Sequence, residues 1–158
     1  MKEQYSERIE LTFLMQDWED AYNVGGLYRV ADGLGIKTLY ASGRTPMMPN
    51  PMIPVTSIGA HRRIDCRHVS GNPEAVKALK DAGWSIVVAE VAEGAQNYLE
   101  FKYPQKTCIV LGNEANGVYE SVMRLRDAAV FIPMFGKGRS LNVHVAAAVI
   151  GYQALIGN

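Results

Sequence analysis

The residues with the most useful chemistry lie in three short polar segments of the sequence. Asn23 and Arg29 belong to the pattern N-x-G-x-x-x-R, Glu114 lies in the segment LGNEANG, and Ser140 and Asn142 lie in the segment SLN. A guanidinium, a carboxylate, a hydroxyl and two carboxamides together can hold a phosphate and orient a hydroxyl group. The core of a domain needs none of these groups, so they are the candidate site residues.

Two glycine-rich nucleotide-binding motifs are incomplete. Gly112 and Gly117 have the spacing of a P-loop, but Val118-Tyr119 stands where that loop needs Lys and Ser/Thr. Gly136-x-Gly138 follows a predicted strand and precedes a predicted helix, but Leu141 replaces the third glycine of a dinucleotide fingerprint. The sequence therefore argues against an NTPase and against that dinucleotide site.

Metal and serine-nucleophile sites are also weakly indicated. His61, Cys66 and His68 are close in sequence but have no four-ligand spacing, so we expect no metal. Ser140 and His144 are four residues apart on one helical face, without a carboxylate nearby in sequence to complete a triad. We interpret Ser140 as the N-cap of the last helix, with its hydroxyl and neighbouring N–H groups facing a ligand.

Short apolar runs alternate with helical stretches, which predicts an α/β fold with a largely parallel sheet. Because ligands bind outside the carboxyl ends of parallel strands, the polar turns after residues 41, 111 and 130 predict a site at that edge. A proline-rich loop is expected at 42–56, and Gly25-Gly26 within a helix indicates a close approach of backbone or ligand. Strands are predicted at 9–14, 37–41, 85–91, 107–111 and 129–132, and helices at 23–34 (closed by Gly35), 72–82 (with Asn72 as N-cap) and 140–156.

Size and charge limit the range of functions. A chain of 158 residues predicts one domain, 1–158, with no separate RNA-binding domain. Sixteen basic and sixteen acidic residues give no net charge, which argues against a polyanion binder held by bulk charge. A nucleic-acid site must then be local, and the candidate cations are Arg44, the segment 61–68, Lys137 and Arg139.

The two ends of the chain suggest its location and assembly. The N-terminal segment MKEQYSERIE has no apolar signal region, and two cysteines cannot form a disulfide scaffold, so we expect a cytoplasmic protein. Residues 140–158 contain no Asp, Glu, Lys or Arg, but their Ala, His, Asn and Gln favour a buried helix over a membrane span. A helix apolar on every side must be covered, which predicts a homodimer.

The polar segments resemble a known family. NVGGLYR at 23–29, LGNEANG at 111–117 and IPMFGKGRSLNVHVAAA at 132–148 are similar, in order and spacing, to the three motifs of the SpoU/TrmH RNA 2′-O-ribose methyltransferases. The resemblance implies a SPOUT-class α/β domain with a C-terminal trefoil knot, S-adenosylmethionine as methyl donor, and a homodimer. It also implies RNA as substrate, either tRNA or rRNA, and the short chain looks more like the small tRNA wobble-position enzymes.

The resemblance also assigns residues. Asn23, Arg29, Glu114, Ser140 and Asn142 would be the catalytic set, and His144 stands where serine is common in the family. The cofactor would be held largely by backbone at Ala89, Leu111, Gly112, Ile132, Met134, Ser140 and Leu141.

The implied reaction moves a methyl group from a sulfonium to a ribose 2′-OH. Because the donor is already activated, the enzyme must align the attacking oxygen and help its proton leave. Arginine stays protonated in proteins, so we expect Arg29 to hold a phosphate and stabilise a developing alkoxide. Two alternatives remain open at this stage: a catalytically idle knotted RNA-binding module, and a methyltransferase that acts on a substrate other than RNA.

Overall fold

A computed structural model describes residues 8–158 of the chain. The predicted domain 1–158 and its polar N-terminal segment therefore include seven residues that lie outside the described part. The seven strands found in 8–158 are β1 (Glu10–Gln16), β2 (Thr38–Ser42), β3 (Asp65–Val69), β4 (Ser85–Ala89), β5 (Gln96–Asn97), β6 (Lys106–Leu111) and β7 (Ala128–Phe131). They form one parallel sheet in the order β3-β2-β1-β6-β4-β7-β5.

Helices cover both faces of this sheet, which confirms the predicted α/β domain. The helices are α1 (Ala21–Leu34), α2 (Ile53–Ser57), α3 (Asn72–Asp81), α4 (Glu120–Met123) and α5 (Val143–Ile156), with a 3₁₀ turn at Ala60–Arg62. Alternate residues of the central strand β1 enter different cores: Phe13 and Met15 pack with α1 and α5, and Leu14 packs with α3 and α4. No helix within 8–158 is long and apolar enough to cross a bilayer. The trefoil knot stays a prediction.

The main differences from the sequence-based elements lie at the edge of the sheet and in short helices. The segment Asp65–Val69 forms the edge strand β3, which pairs in parallel with β2. Three of its five residues are exposed, so it lacks the apolar pattern by which a buried strand is predicted. Similarly, β5 and α4 are too short to give a period, and α2 lies at the end of the predicted loop 42–56.

Two predicted helix caps are wrong, and one is right. The N-cap of α3 is Gly71, and Asn72 is its first helical residue, whose Oδ1 accepts a hydrogen bond from Ser42 Oγ (2.7 Å). The N-cap of α5 is Asn142 rather than Ser140, because the Asn142 side chain accepts from the His144 backbone N–H. Gly35 closes α1 in the left-handed region, with φ of +74°, as expected.

The two glycines within α1 mark close approaches, as predicted. A Cβ at Gly25 would lie 2.3 Å from the carbonyl oxygen of Ile53, so α2 packs directly on the backbone of α1. A Cβ at Gly26 would lie 2.8 Å from ring atoms of His144. Because neither glycine has a Cβ, α2 and α5 can contact α1 directly. In return the pair lowers the stability of the helix by about 1 kcal/mol each relative to Ala.

Asp17, directly after β1, ties together three segments near the carboxyl ends of the strands. Its carboxylate accepts hydrogen bonds from Arg44 Nε (3.2 Å), Arg44 Nη2 (3.0 Å) and the Tyr119 hydroxyl, and its Oδ1 also accepts from the Arg44 backbone N–H (2.7 Å). The hydrogen bonds from the Arg44 side chain hold the pKa of Asp17 well below its usual value, although burial acts in the opposite direction. The ionised carboxylate therefore stabilises this edge of the fold.

Asp17→Asn should destabilise the protein by about 2 kcal/mol at pH 6, because it removes charge-assisted hydrogen bonds. The folded-state pKa lies below the unfolded one, so this stabilisation is complete above the unfolded pKa of about 3.9 and declines as the pH falls below it. Urea unfolding should thus show a smaller difference between wild type and variant at pH 3 than at pH 6. Asp81→Asn, at an exposed carboxylate, is the control and should change stability little at either pH. An equal loss at both pH values would contradict the role of the ionised form.

Candidate functional site

A cavity of about 380 Å³ opens at the carboxyl ends of β4, β6 and β7. It is bounded by the turns that follow these strands and by the first two turns of α5. The structure places all of the residues predicted for the cofactor around it: Ala89, Leu111, Gly112, Ile132, Met134, Ser140 and Leu141. The predicted position of the site, at the carboxyl edge of the sheet, therefore coincides with a cavity.

The loop that follows β6 is a tight turn whose shape depends on glycine. A Cβ at Gly112 would lie 2.2 Å from the carbonyl carbon of Gly117, so no other residue fits there without moving the loop. Asn113 and Gly117 form a small antiparallel bridge, and Gly117 has a φ of +69°. Asn113 Oδ1 accepts from the N–H groups of Ala115 and Asn116, both at 3.0 Å. The spacing of Gly112 and Gly117, which resembles that of a P-loop, is therefore explained by the geometry of this turn.

Glu114 connects this loop to the start of α1. Its carboxylate accepts from the backbone N–H groups of Glu19 (3.0 Å) and Asp20 (2.9 Å), which precede the helix. It also accepts from Asn23 Nδ2 at 3.2 Å. A carboxylate at this position satisfies free N–H groups and lies near the positive end of the helix dipole. Two of the predicted site residues, Glu114 and Asn23, are therefore in direct contact.

The same contacts extend to α5. Asn23 Oδ1 accepts from Asn142 Nδ2 at 3.0 Å and lies 3.3 Å from His144 Nδ1. Asn23 is buried, whereas Asn142 is exposed and His144 is half-buried. Burial lowers the pKa of His144, and the charge of Asp20 acts weakly in the opposite direction. The structure thus joins Glu114, Asn23 and Asn142 in one network, and sequence analysis did not place His144 in it.

Arg29 lies apart from this cavity. It is exposed on α1 and lines an open depression of about 450 Å³ together with His144 and residues of α1 and α2. Within residues 8–158 its guanidinium makes no side-chain hydrogen bond or ion pair. The structure therefore does not bring Arg29 to the cavity that Ser140 lines in the same chain.

Most of the cations predicted to bind nucleic acid are engaged inside the chain. Arg44 is paired with Asp17, and two cations of the 61–68 segment are paired with acids: Arg63 with Asp32 at 2.9 Å, and Arg67 with Asp65 at 3.3 Å. The histidine side chains of that segment are bonded as well, one to the Ser57 hydroxyl and one to the Gly43 carbonyl. Two of the three arginines of this segment are therefore paired, and Arg62 makes no ion pair within residues 8–158.

The exposed cations beside the cavity are in the loop between β7 and α5. Lys137 and Arg139 are both exposed there, and Arg139 lines the cavity. Phe135, in the same loop, is 96% exposed, which is unusual for a large apolar side chain. These three side chains can together contact a phosphate and an aromatic base.

Sequence analysis missed polar residues of the cavity, among them Glu90 and Asn113. Glu90 lines it and accepts from the Val118 N–H at 3.0 Å, and Asn113 donates to the Asp17 carbonyl at 2.6 Å. The prediction extended β4 to residue 91, which assigned Glu90 to the strand. The signal that could have revealed Glu90 is a carboxylate directly after the apolar strand β4.

No group of three or more His, Cys, Asp or Glu side chains within residues 8–158 is arranged to hold a metal ion. His61, Cys66 and His68 do not converge: Cys66 Sγ contacts Met47 Sδ at 3.9 Å, and the two histidines bond elsewhere. The expectation of metal-free chemistry stays a prediction.

Sequence comparison relates most of the chain to known proteins. The model of the family described as "SpoU rRNA Methylase family" matches residues 10–152. A tRNA (guanosine(18)-2′-O)-methyltransferase from Thermus thermophilus is 33% identical over 145 residues, which cover 92% of this chain and 74% of that protein. The family match, over residues 10–152, includes all three polar segments.

Solved structures give the same relationship in three dimensions. The SpoU methyltransferase AviRb from Streptomyces viridochromogenes, in complex with AdoMet, has a TM-score of 0.82 and 29% identity, covering 93% of this chain and 60% of that one. A structure described as giving insight into the 2-OH methylation of C/U34 on tRNA has a TM-score of 0.79 and 26% identity. That similarity covers 92% of this chain and 94% of the other.

Proposed function

The chain belongs to the SpoU rRNA Methylase family, and on this basis we propose that it transfers a methyl group from S-adenosylmethionine to a ribose 2′-OH of RNA. The observation that carries the proposal is the convergence of the three motif segments on one network, Glu114–Asn23–Asn142, beside the cavity at the strand ends. The relatives named for tRNA methylation favour tRNA as the substrate class over rRNA. We place the reaction in the cytoplasm.

We assign the cavity to S-adenosylmethionine, because its donor set suits that molecule. Apolar side chains such as Leu111, Ile132 and Leu141 can cover an adenine ring, and strand-end backbone groups can bond its edge. The carboxylates of Glu90 and Glu114 at the cavity wall favour a positively charged ligand. When bound, the cofactor supplies a methyl group activated on a sulfonium, and no metal is needed for that chemistry.

The protein's own residues must then bind the ribose and stabilise its oxygen. We propose that Arg29 holds a phosphate next to the target ribose and stabilises the developing alkoxide, since a guanidinium cannot serve as a base at neutral pH. Ser140 borders the cavity and is the hydroxyl donor there, while Asn23, Asn142 and Glu114 fix the surrounding backbone. Lys137, Arg139 and Phe135 would contact the RNA at the cavity mouth.

We further propose that the active form is a homodimer with shared sites. Arg29 and the cavity are separate in one chain, so a complete site needs Arg29 from a second copy. The outer face of α5 supports this, because Val145 is 40% exposed, Tyr152 44% and Ile156 50%, and α5 has no charged residue. Val55 (56% exposed) and Ile58 (62% exposed) extend the apolar surface to the depression that Arg29 lines.

The trefoil knot belongs to the same proposal. The motif of residues 132–148 includes both the loop at the cavity and the first turns of α5, which is the part of the chain that the resemblance places in the knot. The similarity of fold to AviRb, with a TM-score of 0.82, is what supports it.

The wild-type protein should bind S-adenosylmethionine in the presence of excess EDTA with unchanged affinity, because the proposed site uses no metal. Isothermal titration calorimetry measures this directly. Gly112→Ala should weaken binding at least tenfold, since the added Cβ would lie 2.2 Å from the Gly117 carbonyl carbon. Gly138→Ala is the matched control, because its Cβ would meet no atom within 4 Å. Folded wild-type protein that binds neither the cofactor nor its demethylated product would refute the assignment.

Arg29→Ala should reduce RNA methylation by about 100-fold or more while cofactor affinity and thermal stability stay close to wild type. Arg29→Lys should recover little activity, because an ammonium cannot replace the planar fork of a guanidinium. Methyl transfer to unmodified tRNA, measured with radiolabelled cofactor, tests both variants. Lys77→Ala, an exposed cation on the opposite face of the sheet, is the control and should keep full activity. Normal activity of Arg29→Ala would show that the motif transfer fails at this residue.

Light scattering should give a mass near twice 17.4 kDa at micromolar concentration. Arg29→Ala and Asn142→Ala homodimers should each be inactive. Subunit exchange between them should restore about a quarter of wild-type activity, since half of the dimers are mixed and each has one intact composite site. An active monomer, or no recovery after verified exchange, would contradict the shared site.

A further inference from the structure

The network around Asn23 has a fixed hydrogen-bond direction. An ionised carboxylate can only accept, so Asn23 must point its NH₂ group toward Glu114 Oε2, at 3.2 Å. The carbonyl oxygen of the Asn23 carboxamide then faces α5 and can only accept there. The carboxylate thus determines the orientation of the buried amide.

Two groups of α5 approach that carbonyl oxygen. Asn142 Nδ2 donates to it at 3.0 Å, and the orientation of Asn142 is set in turn because its own Oδ1 accepts from the His144 backbone N–H at 3.1 Å. The second group is His144 Nδ1, at 3.3 Å, which must carry a proton to donate to an oxygen. A neutral His144 therefore has its proton on Nδ1 and a free lone pair on Nε2.

The imidazole ring is held beside Arg29. It lies against Gly26, where a Cβ would come within 2.8 Å of the ring carbons, and both residues line the depression that contains Arg29. Within residues 8–158 no side chain or backbone group donates to Nε2. Thr56, across the depression, uses its hydroxyl hydrogen on the Tyr22 carbonyl at 2.7 Å. An acceptor nitrogen and a guanidinium thus share one surface.

The charges that face His144 come from α1 and from the loop after β6. Arg29 of α1 shares its depression, and Asp20 lies at the N-cap of α1. Glu114, in the loop after β6, reaches it only through Asn23. The residues of α2 and its C-cap that line the depression, Val55, Thr56 and Ile58, carry no charge. Burial favours the neutral ring, and with it an unprotonated Nε2 near neutral pH.

We propose that His144 is a catalytic residue that accepts the proton of the ribose 2′-OH during methyl transfer. This inference rests on the proposed function and on the composite site formed with a second chain. The ribose oxygen forms a bond to the methyl carbon, and the carbon–sulfur bond breaks with its electron pair left on sulfur. The hydroxyl proton passes to Nε2, which gives an imidazolium that later releases it to water. Arg29 remains protonated throughout and stabilises the oxygen.

The first test is spectroscopic and needs no cofactor. Long-range ¹H–¹⁵N spectra of the wild-type protein should show His144 as the Nδ1–H tautomer, with a pKa below the usual 6.5. Comparison with His144→Asn assigns that signal. An Nε2–H tautomer at His144 would overturn the inference, because Nε2 could not then accept a proton.

The second test is the pH dependence of methyl transfer under single-turnover conditions with unmodified tRNA. His144→Asn keeps a donor toward Asn23 but has no base, so its rate should fall about 100-fold at pH 7. The acid limb of the wild-type profile should disappear in this variant, whereas cofactor affinity and dimer mass should not change. His68→Asn removes a histidine bonded to the Gly43 carbonyl and should retain the acid limb, whatever its rate.

The two tests distinguish failure of the proposed RNA methylation from failure of the role of His144. A wild-type protein that methylates no RNA refutes the proposed function and the inference together. An active wild type with His144→Asn equally active, or with the acid limb preserved in that variant, overturns the inference alone. His144→Ser restores the residue common in the family, and we expect it to be as slow as His144→Asn.

Discussion

Three N–H groups near the start of α1 converge on the carboxylate of Glu114: two from the backbone of Glu19 and Asp20, and one from the side chain of Asn23. Hydrogen bonds to a charged acceptor contribute about 1.5 to 3 kcal/mol each, more than those between neutral groups. The contact joins residues about ninety positions apart in the sequence, and it holds the loop after β6 against α1. A neutral residue at position 114 would leave the backbone N–H groups of Glu19 and Asp20, just before the helix, without a charged partner.

The Glu114 carboxylate also determines how the polar side chains beyond Asn23 are oriented. Because it can only accept, it sets the direction of Asn23, whose carbonyl oxygen then accepts from Asn142 Nδ2 and requires a neutral His144 to carry its proton on Nδ1. One charge in a loop thereby orients groups on two helices. The small backbone of Gly26 completes the arrangement, since it allows the imidazole ring to lie on α1.

The chain divides its chemistry between two surfaces. The cavity at the strand ends has the apolar walls and acidic groups that suit a cationic cofactor, whereas Arg29 and His144 share a separate depression beside the uncharged face of α5. An uncharged helix with exposed Val145 and Tyr152 is unusual on the surface of a monomer. Association through this face would cover it and would bring the two surfaces of different chains together. The surface formed by Arg29, His144 and the uncharged face of α5 would then serve both catalysis and assembly.

The sequence by itself determined the fold class and predicted the edge of the sheet at which the cavity lies. Long apolar strands such as β1 and β6 are buried on both faces, so their composition alone distinguishes them, and the turns that follow parallel strands must share one edge. Motif spacing was equally informative, because the glycines of the Gly112–Gly117 turn and of α1 are required by local sterics. Edge strand β3 was not predictable in this way, since an exposed strand has no apolar pattern to detect.

Only the tertiary structure decided which charges are free and which groups meet. Arg44, Arg63 and Arg67 form part of a basic cluster in the sequence, yet each is paired with an aspartate, and two of those acids lie about thirty positions away in the chain. Tertiary packing likewise separates Arg29 from the cavity and brings His144 into contact with Asn23. Such contacts depend on how α1, α5 and the loops pack against one sheet, and packing between distant segments leaves no periodic signal in a single sequence.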